Sequence, residues 1–142
     1  MTTRADDELA RAWHELMNRY HRVSCVLDRV LQAKHGISGS EFAVLEQLAE
    51  SDGDHCLKMN ELGENAHVTQ SALSRLVARL EADGLVNRSM CTYDRRAVIA
   101  GLTPKGLELY REARPTQREV LHAEGGDCLT AAGAALAAAS RS

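Results

Sequence analysis

The sequence is short of the features that would place it in most functional classes. No apolar run approaches the roughly 18 residues that begin to read as a membrane span, so no membrane partner is expected. The four cysteines, Cys25, Cys56, Cys91 and Cys128, are scattered and form no Cys-x-x-Cys pair. No His-x-x-x-His pair is present either, so no structural metal is expected. Disulfide staples are not expected from such spacing. There is no Gly-rich phosphate loop, nucleophile elbow or paired-carboxylate pocket, which argues against an enzyme and leaves no cofactor to expect. Residues 1–8 contain no apolar core, so no secretory signal is expected, and a cytoplasmic protein is. Charge is nearly balanced, at −3 overall, which by itself counts mildly against nucleic acid.

What is present describes an ordinary globular chain. Its 142 residues are 44% hydrophobic and 26% charged, enough for one domain with a real core. The charge is unevenly spread. Residues 58–111 carry eight Lys and Arg against six Asp and Glu, while the remainder carries nine against fourteen. A weakly basic segment on an acidic support is compatible with a DNA reader that touches few phosphates per subunit.

Residues 6–34 read as one long helix. Leu9, Trp13, Leu16, Met17, Tyr20, Val23, Leu27, Val30 and Leu31 recur at intervals of three and four. That stripe is longer than a monomer of this size needs to cover its own core, so a second subunit is the expected use. Gly36 suits the C-terminal cap. Ser38 and Glu41 form a capping box for a second helix, whose buried face is Phe42, Leu45, Leu48 and Ala49.

The centre of the chain is the stretch 68–84. Leu73, Leu76, Val77 and Leu80 fall at i, i+3, i+4 and i+7, one apolar stripe of an amphipathic helix. Thr69 can cap its start and Gly84 suits the left-handed residue past its end. Gln70, Ser71, Ser74, Arg75 and Arg79 lie on the other faces, with no acid before Glu81. Short hydrogen-bonding groups and arginine suit phosphates and base edges. Upstream, residues 57–66 read as a short helix, and His67 and Val68 as a tight turn, a helix-turn-helix spacing. Downstream, residues 85–91 alternate like a strand, 92–96 form a polar turn, and 97–102 return as a second strand. Helix, turn, helix and hairpin together predict a winged helix, with Arg95 and Arg96 at the wing tip. Thr103 and Pro104 then start another helix. Pro115 predicts a kink near Arg111, with the helix resuming to His122 or Ala123 before Gly125 and Gly126 break it. Residues 130–140 form a last, Ala-rich helix.

Three motifs in order resemble the multiple-antibiotic-resistance regulator (MarR) family of bacterial transcription factors: Ser71 to Val86, then Asp94-Arg95-Arg96-Ala97, then Leu102-Thr103-Pro104-Lys105-Gly106. The flanking helices match in length and order. The resemblance implies a mainly α fold with a small β wing. A winged helix-turn-helix of about residues 38–103 would sit within a single domain, with dimerisation helices at about 6–35 and 104–140. It also implies a homodimer that binds a pseudo-palindromic duplex, most often as a repressor, and answers to a small molecule or a redox signal. The family's Asp-x-Arg pattern falls on Asp94 and Arg96: the acid orients the wing and the arginine enters the minor groove, while Arg95 points to phosphate. One departure stands out, since the family usually has Ser or Thr where Lys58 stands, and an ammonium cannot accept a cap hydrogen bond.

The expected DNA-contacting set is therefore Thr69, Gln70, Ser71, Ser74, Arg75, Arg79, Arg88, Asp94, Arg95 and Arg96. Arg79 has a second reading as the i+4 partner of Asp83, and Arg88 as a brace for the wing. Trp13, Met17, Tyr20 and Phe42 are candidates to line an effector pocket, although such a stripe is more often core. Cys25 and Cys91 are the redox candidates, with a small buried hydrophobe as the plainer reading of Cys25. The competing function is a winged-helix protein-docking module that binds no operator.

Overall fold

A computed structural model describes residues 2–90, 97–125, 134 and 138 of the chain. Helix α1 (Arg4–His35) opens it and starts two residues earlier than its apolar stripe predicts. The reason is local: Thr3 and Asp6 form a reciprocal capping box, with the Thr3 N–H donating to Asp6 Oδ2 at 2.7 Å and the Asp6 N–H to Thr3 Oγ1 at 3.1 Å. Gly36 closes α1 in the left-handed region, φ 72°. Helix α2 (Gly39–Glu50) begins with the expected Ser38–Glu41 box, bonds of 3.2 and 3.0 Å.

A strand that the sequence pattern did not announce follows, β1 (Cys56–Lys58). It shortens the next helix, α3 (Met59–Asn65), which starts at Met59 instead of Leu57. Lys58 stands at its N-cap in an extended conformation and makes no side-chain cap bond there. Helix α4 (Gln70–Ala82) is capped by Thr69 Oγ1, which accepts from the Ala72 N–H at 3.2 Å. Strands β2 (Val86–Met90) and β3 (Val98–Leu102) form the stem of the hairpin. Helix α5 (Pro104–Glu124) begins at the Thr103 cap and carries through Pro115 as one element, ending at Gly125. The predicted turn at 92–96 and the Ala-rich helix at 130–140 lie outside the described residues, apart from Ala134 and Ala138, which are helical.

The three strands pair antiparallel in the order β1-β3-β2. Cys56 lies opposite Gly101 on one side of β3, and Arg88 opposite Ala100 on the other. A helix-turn-helix carrying this hairpin is a winged helix.

The core gathers one face of every helix. Leu31 of α1, Val44, Leu45 and Leu48 of α2, Leu62 of α3, and Leu73, Val77 and Leu80 of α4 are fully buried. Each such side chain contributes about 1.5–3 kcal/mol of transfer free energy. Phe42 and Tyr110 join α2 to α5, with ring centroids 5.6 Å apart. The Tyr110 hydroxyl donates to Glu50 Oε1 at 3.1 Å, and Arg118 donates to Glu46 at 2.7 Å, so α5 is tied to α2 along two turns.

Most of α1 is outside this core. Only Val23 and Leu31 of that helix are buried, while Trp13, Met17 and Tyr20 are 56%, 41% and 61% exposed. No helix among the described residues is long and apolar enough to cross a membrane.

Candidate nucleic-acid interface

The turn between α3 and α4 is set by backbone geometry. His67 takes a positive φ of 57°. The Ala66 N–H donates to the Leu62 carbonyl at 2.9 Å and the Val68 N–H to that of Gly63 at 3.1 Å, so the chain reverses within a few residues. The end of the Gln70 side chain lies over Gly63, where a β-carbon would oblige it to swing aside. The first residues of α4, Gln70 and Ser71, are exposed, and burial begins at Leu73.

The buried stripe of α4 fixes which residues face outward. With Leu73, Val77 and Leu80 fully covered, Thr69, Gln70, Ser71, Ser74, Arg75 and Arg79 are all exposed. These side chains divide between two hollows. Gln70 and Ser74 share a cleft of about 500 Å³ with Lys58, Asn60, Arg88 and Val98, between the helix and the hairpin stem. Arg75 and Arg79 line a second hollow of about 440 Å³ on the other side of α4, beside Ser40 and Leu76. Among the described residues no ion pair holds either arginine, so the Arg79–Asp83 side-chain pairing is not formed there.

Arg88 differs. It is gripped by Glu81 at the end of α4, with Nη2 to Oε1 at 3.0 Å, Nε to Oε1 at 3.2 Å and its backbone N–H to Oε2 at 3.1 Å. The Arg88 guanidinium, foremost, and its backbone N–H hold the Glu81 carboxyl below the usual glutamate value. Of the two readings of Arg88, bracing is the one its contacts show. Glu81, Lys58 and Asn60 join this face without a sequence signal that points to them. The signal for Glu81 lies seven residues from its partner and across a turn, where helix and strand periodicities do not apply.

The remaining candidates fall into two groups, those the structure describes and those it does not. Asp94, Arg95, Arg96 and Cys91 lie outside the described residues. Tyr20 and Phe42 line a common cavity of about 460 Å³ between α1, α2 and α5, together with His21, Cys25, Leu27 and Gln117. Trp13 and Met17 do not line it and stand exposed further along α1. Cys25 is not the small buried hydrophobe of the plainer expectation: it is exposed, with Sγ 3.7 Å from His21 Nε2, because its position in α1 falls off the stripe that meets the core. His35 pairs with Thr116, ring nitrogen to Oγ1 at 2.7 Å, and the Glu41 carboxylate accepts the Ser38 N–H in the cap of α2. Among the described residues no three His, Cys, Asp or Glu side chains converge as metal ligands would.

Comparison with known proteins gives a consistent answer. A profile of the MarR family matches residues 35–97. The chain is 34% identical over 82 residues to the HTH-type transcriptional regulator MhqR of Bacillus subtilis, covering 58% of this chain and 54% of that one. It is 33% identical over 95 residues to the transcriptional repressor MprA of Escherichia coli, covering 67% and 53%. The chain spans about half the length of these curated relatives. Among solved structures it is similar to Sco3205, a MarR family transcriptional regulator from Streptomyces coelicolor in complex with DNA, with a TM-score of 0.78 and 33% identity over 90% of this chain and 78% of that one.

Proposed function

The chain belongs to the MarR family, and from that membership we propose that it is a DNA-binding transcription regulator acting as a homodimeric repressor. The relatives it matches are regulators of transcription and not enzymes. The observation that carries the reading is the outward face of α4. Gln70, Ser71, Ser74 and Arg75 stand exposed on a helix whose opposite face is locked into the core. Arginine can pair with guanine O6 and N7, and glutamine with adenine N6 and N7, across the major groove.

In this mechanism α4 enters the major groove and the hairpin flanks it. Thr69, Gln70 and Arg79 take phosphates or base edges, Arg95 a phosphate, and Arg96, oriented by Asp94, the minor groove. One domain serves both tasks, with residues of about 38–103 reading DNA and helices of about 6–35 and 104–140 pairing the subunits. The exposed Trp13, Met17 and Tyr20 support pairing through α1. A small effector would enter the cavity between α1, α2 and α5, or a redox signal would reach Cys25 or Cys91. The expected location is the cytoplasm, where the DNA is.

Footprinting on the DNA upstream of the chain's own coding region tests this reading. A regulator protects two half-sites related by a dyad, with centres about one helical turn apart. Protection of no sequence in preference to bulk DNA would contradict it.

A further inference from the structure

Glu81 is out of keeping with a helix offered to DNA. On charge alone its carboxylate opposes every phosphate nearby. It also stands toward the negative end of the helix dipole, where an acid is disfavoured. Yet it is fully engaged by a single residue. Oε2 accepts the backbone N–H of Arg88, and Oε1 accepts two N–H groups of its guanidinium. The main-chain bond fixes the strand, and the guanidinium bonds fix the direction of the side chain. In the order β1-β3-β2, β2 is an outer strand, so the Arg88 N–H that Glu81 takes is an edge donor with no strand beyond it among the described residues. A guanidinium has five N–H donors. Glu81 uses two, and the rest remain on a group that lines the cleft beside Gln70 and Ser74.

We propose that Glu81 is a positioning residue for DNA binding: it locks the hairpin stem onto the reader helix and presents Arg88 to a phosphate. This rests on the DNA-binding reading above. Its consequence runs against simple electrostatics, since removing a negative charge from this face weakens the complex.

The test is Glu81→Gln, Arg88→Ala and the double variant in the full chain. Each is titrated by fluorescence anisotropy, over a range of salt, against a labelled duplex that the wild-type chain selects from a random-sequence pool. Glu81→Gln is expected to bind about fivefold more weakly, on the scale of couplings between residues in direct contact. In the Arg88→Ala background the same change is expected to cost nothing. Both single variants lower the slope of log K against log salt by roughly 0.9 per subunit, the loss of one phosphate contact. A merely weakened fold would reduce the active fraction and leave that slope alone. Binding by Glu81→Gln as tight as wild type or tighter, an equal loss in both backgrounds, or an unchanged slope overturns the role given to Glu81 and leaves the regulator reading standing. A wild-type chain that selects no duplex overturns both.

Discussion

Gly106 lies against the carbonyl of Leu85, so close that a β-carbon at position 106 would overlap the oxygen and crowd Leu102 Cδ1 at 2.8 Å. The same carbonyl accepts the Thr103 N–H at 3.1 Å. The first turn of α5 is thus seated directly on the base of the hairpin, and the obstacle is main chain, which cannot swing aside. Gly106→Ala is expected to destabilise the protein by about 2–3 kcal/mol, the scale of overpacking. Its melting temperature should fall by roughly 4 °C for each kcal/mol. Thermal unfolding followed by circular dichroism checks this, and an unchanged midpoint would contradict the contact.

Lys58 offers a prediction of opposite signs for stability and binding. Its backbone already has the extended conformation of an N-cap, φ −66° and ψ 146°, but its side chain caps nothing. Lys58→Ser should raise stability by about 0.5–1 kcal/mol by supplying an acceptor to α3. It also removes a cation from the cleft shared with Gln70 and Ser74, so DNA affinity should fall while the melting temperature rises. Both measurements moving in the same direction would contradict this assignment.

Tyr110 gives the fold a dependence on alkaline pH. Burial first, and its bond to Glu50 second, push its hydroxyl above the usual 10.0. The folded chain therefore holds this proton more tightly than the unfolded chain does. The resulting stability is full below pH 10 and drains away as pH rises through the raised value. Tyr110→Phe should cost about 1 kcal/mol near neutral pH and flatten the decline that the wild type shows above pH 10. Denaturant titrations across that range test it, and parallel curves for the two proteins would argue against a role for the hydroxyl.

The exposed stripe of α1 bears on assembly. Met17 is 41% exposed between Trp13 and Tyr20, which are more exposed still. Met17→Glu places a charge in the middle of the surface proposed to pair two subunits, where burying it unpaired is costly. Sedimentation should show a dimer for the wild type and a monomer for the variant. The same mass for both would mean that this stripe faces solvent.

Much of the architecture is legible in sequence because its signals are local. Ser38 with Glu41, Thr69, Gly36 and the Thr103–Pro104 pair each mark a helix end through bonds that span four residues or fewer, and all stand at those ends. Strand β1 is not legible in sequence because three residues carry no period. It exists only through its pairing of Cys56 with Gly101, far along the chain. The Thr3 cap is a weaker signal in sequence, because its capping partner is an aspartate, a shorter acid than the usual glutamate. The outward set on α4 follows from its 3.6-residue period, but its division between two hollows does not. That depends on where the hairpin and α2 pack. Arg88 is the clearest case, since the sequence offers it either to DNA or to the wing, and only the fold brings Glu81 within 3.0 Å of it.

The most direct test of the account is the salt dependence of DNA binding by the wild type, Arg75→Ala and Arg96→Ala, measured by fluorescence anisotropy on the protected upstream sequence and on scrambled DNA. The account predicts a steep linear fall of log K with log salt for the wild type. Arg75→Ala should lose about 1–3 kcal/mol of preference for the specific sequence, the range of one base-edge contact. Arg96→Ala should weaken both duplexes with less effect on that preference. Weak binding at every salt concentration, with all three proteins alike on both duplexes, would contradict it and favour a winged helix that docks protein instead of DNA.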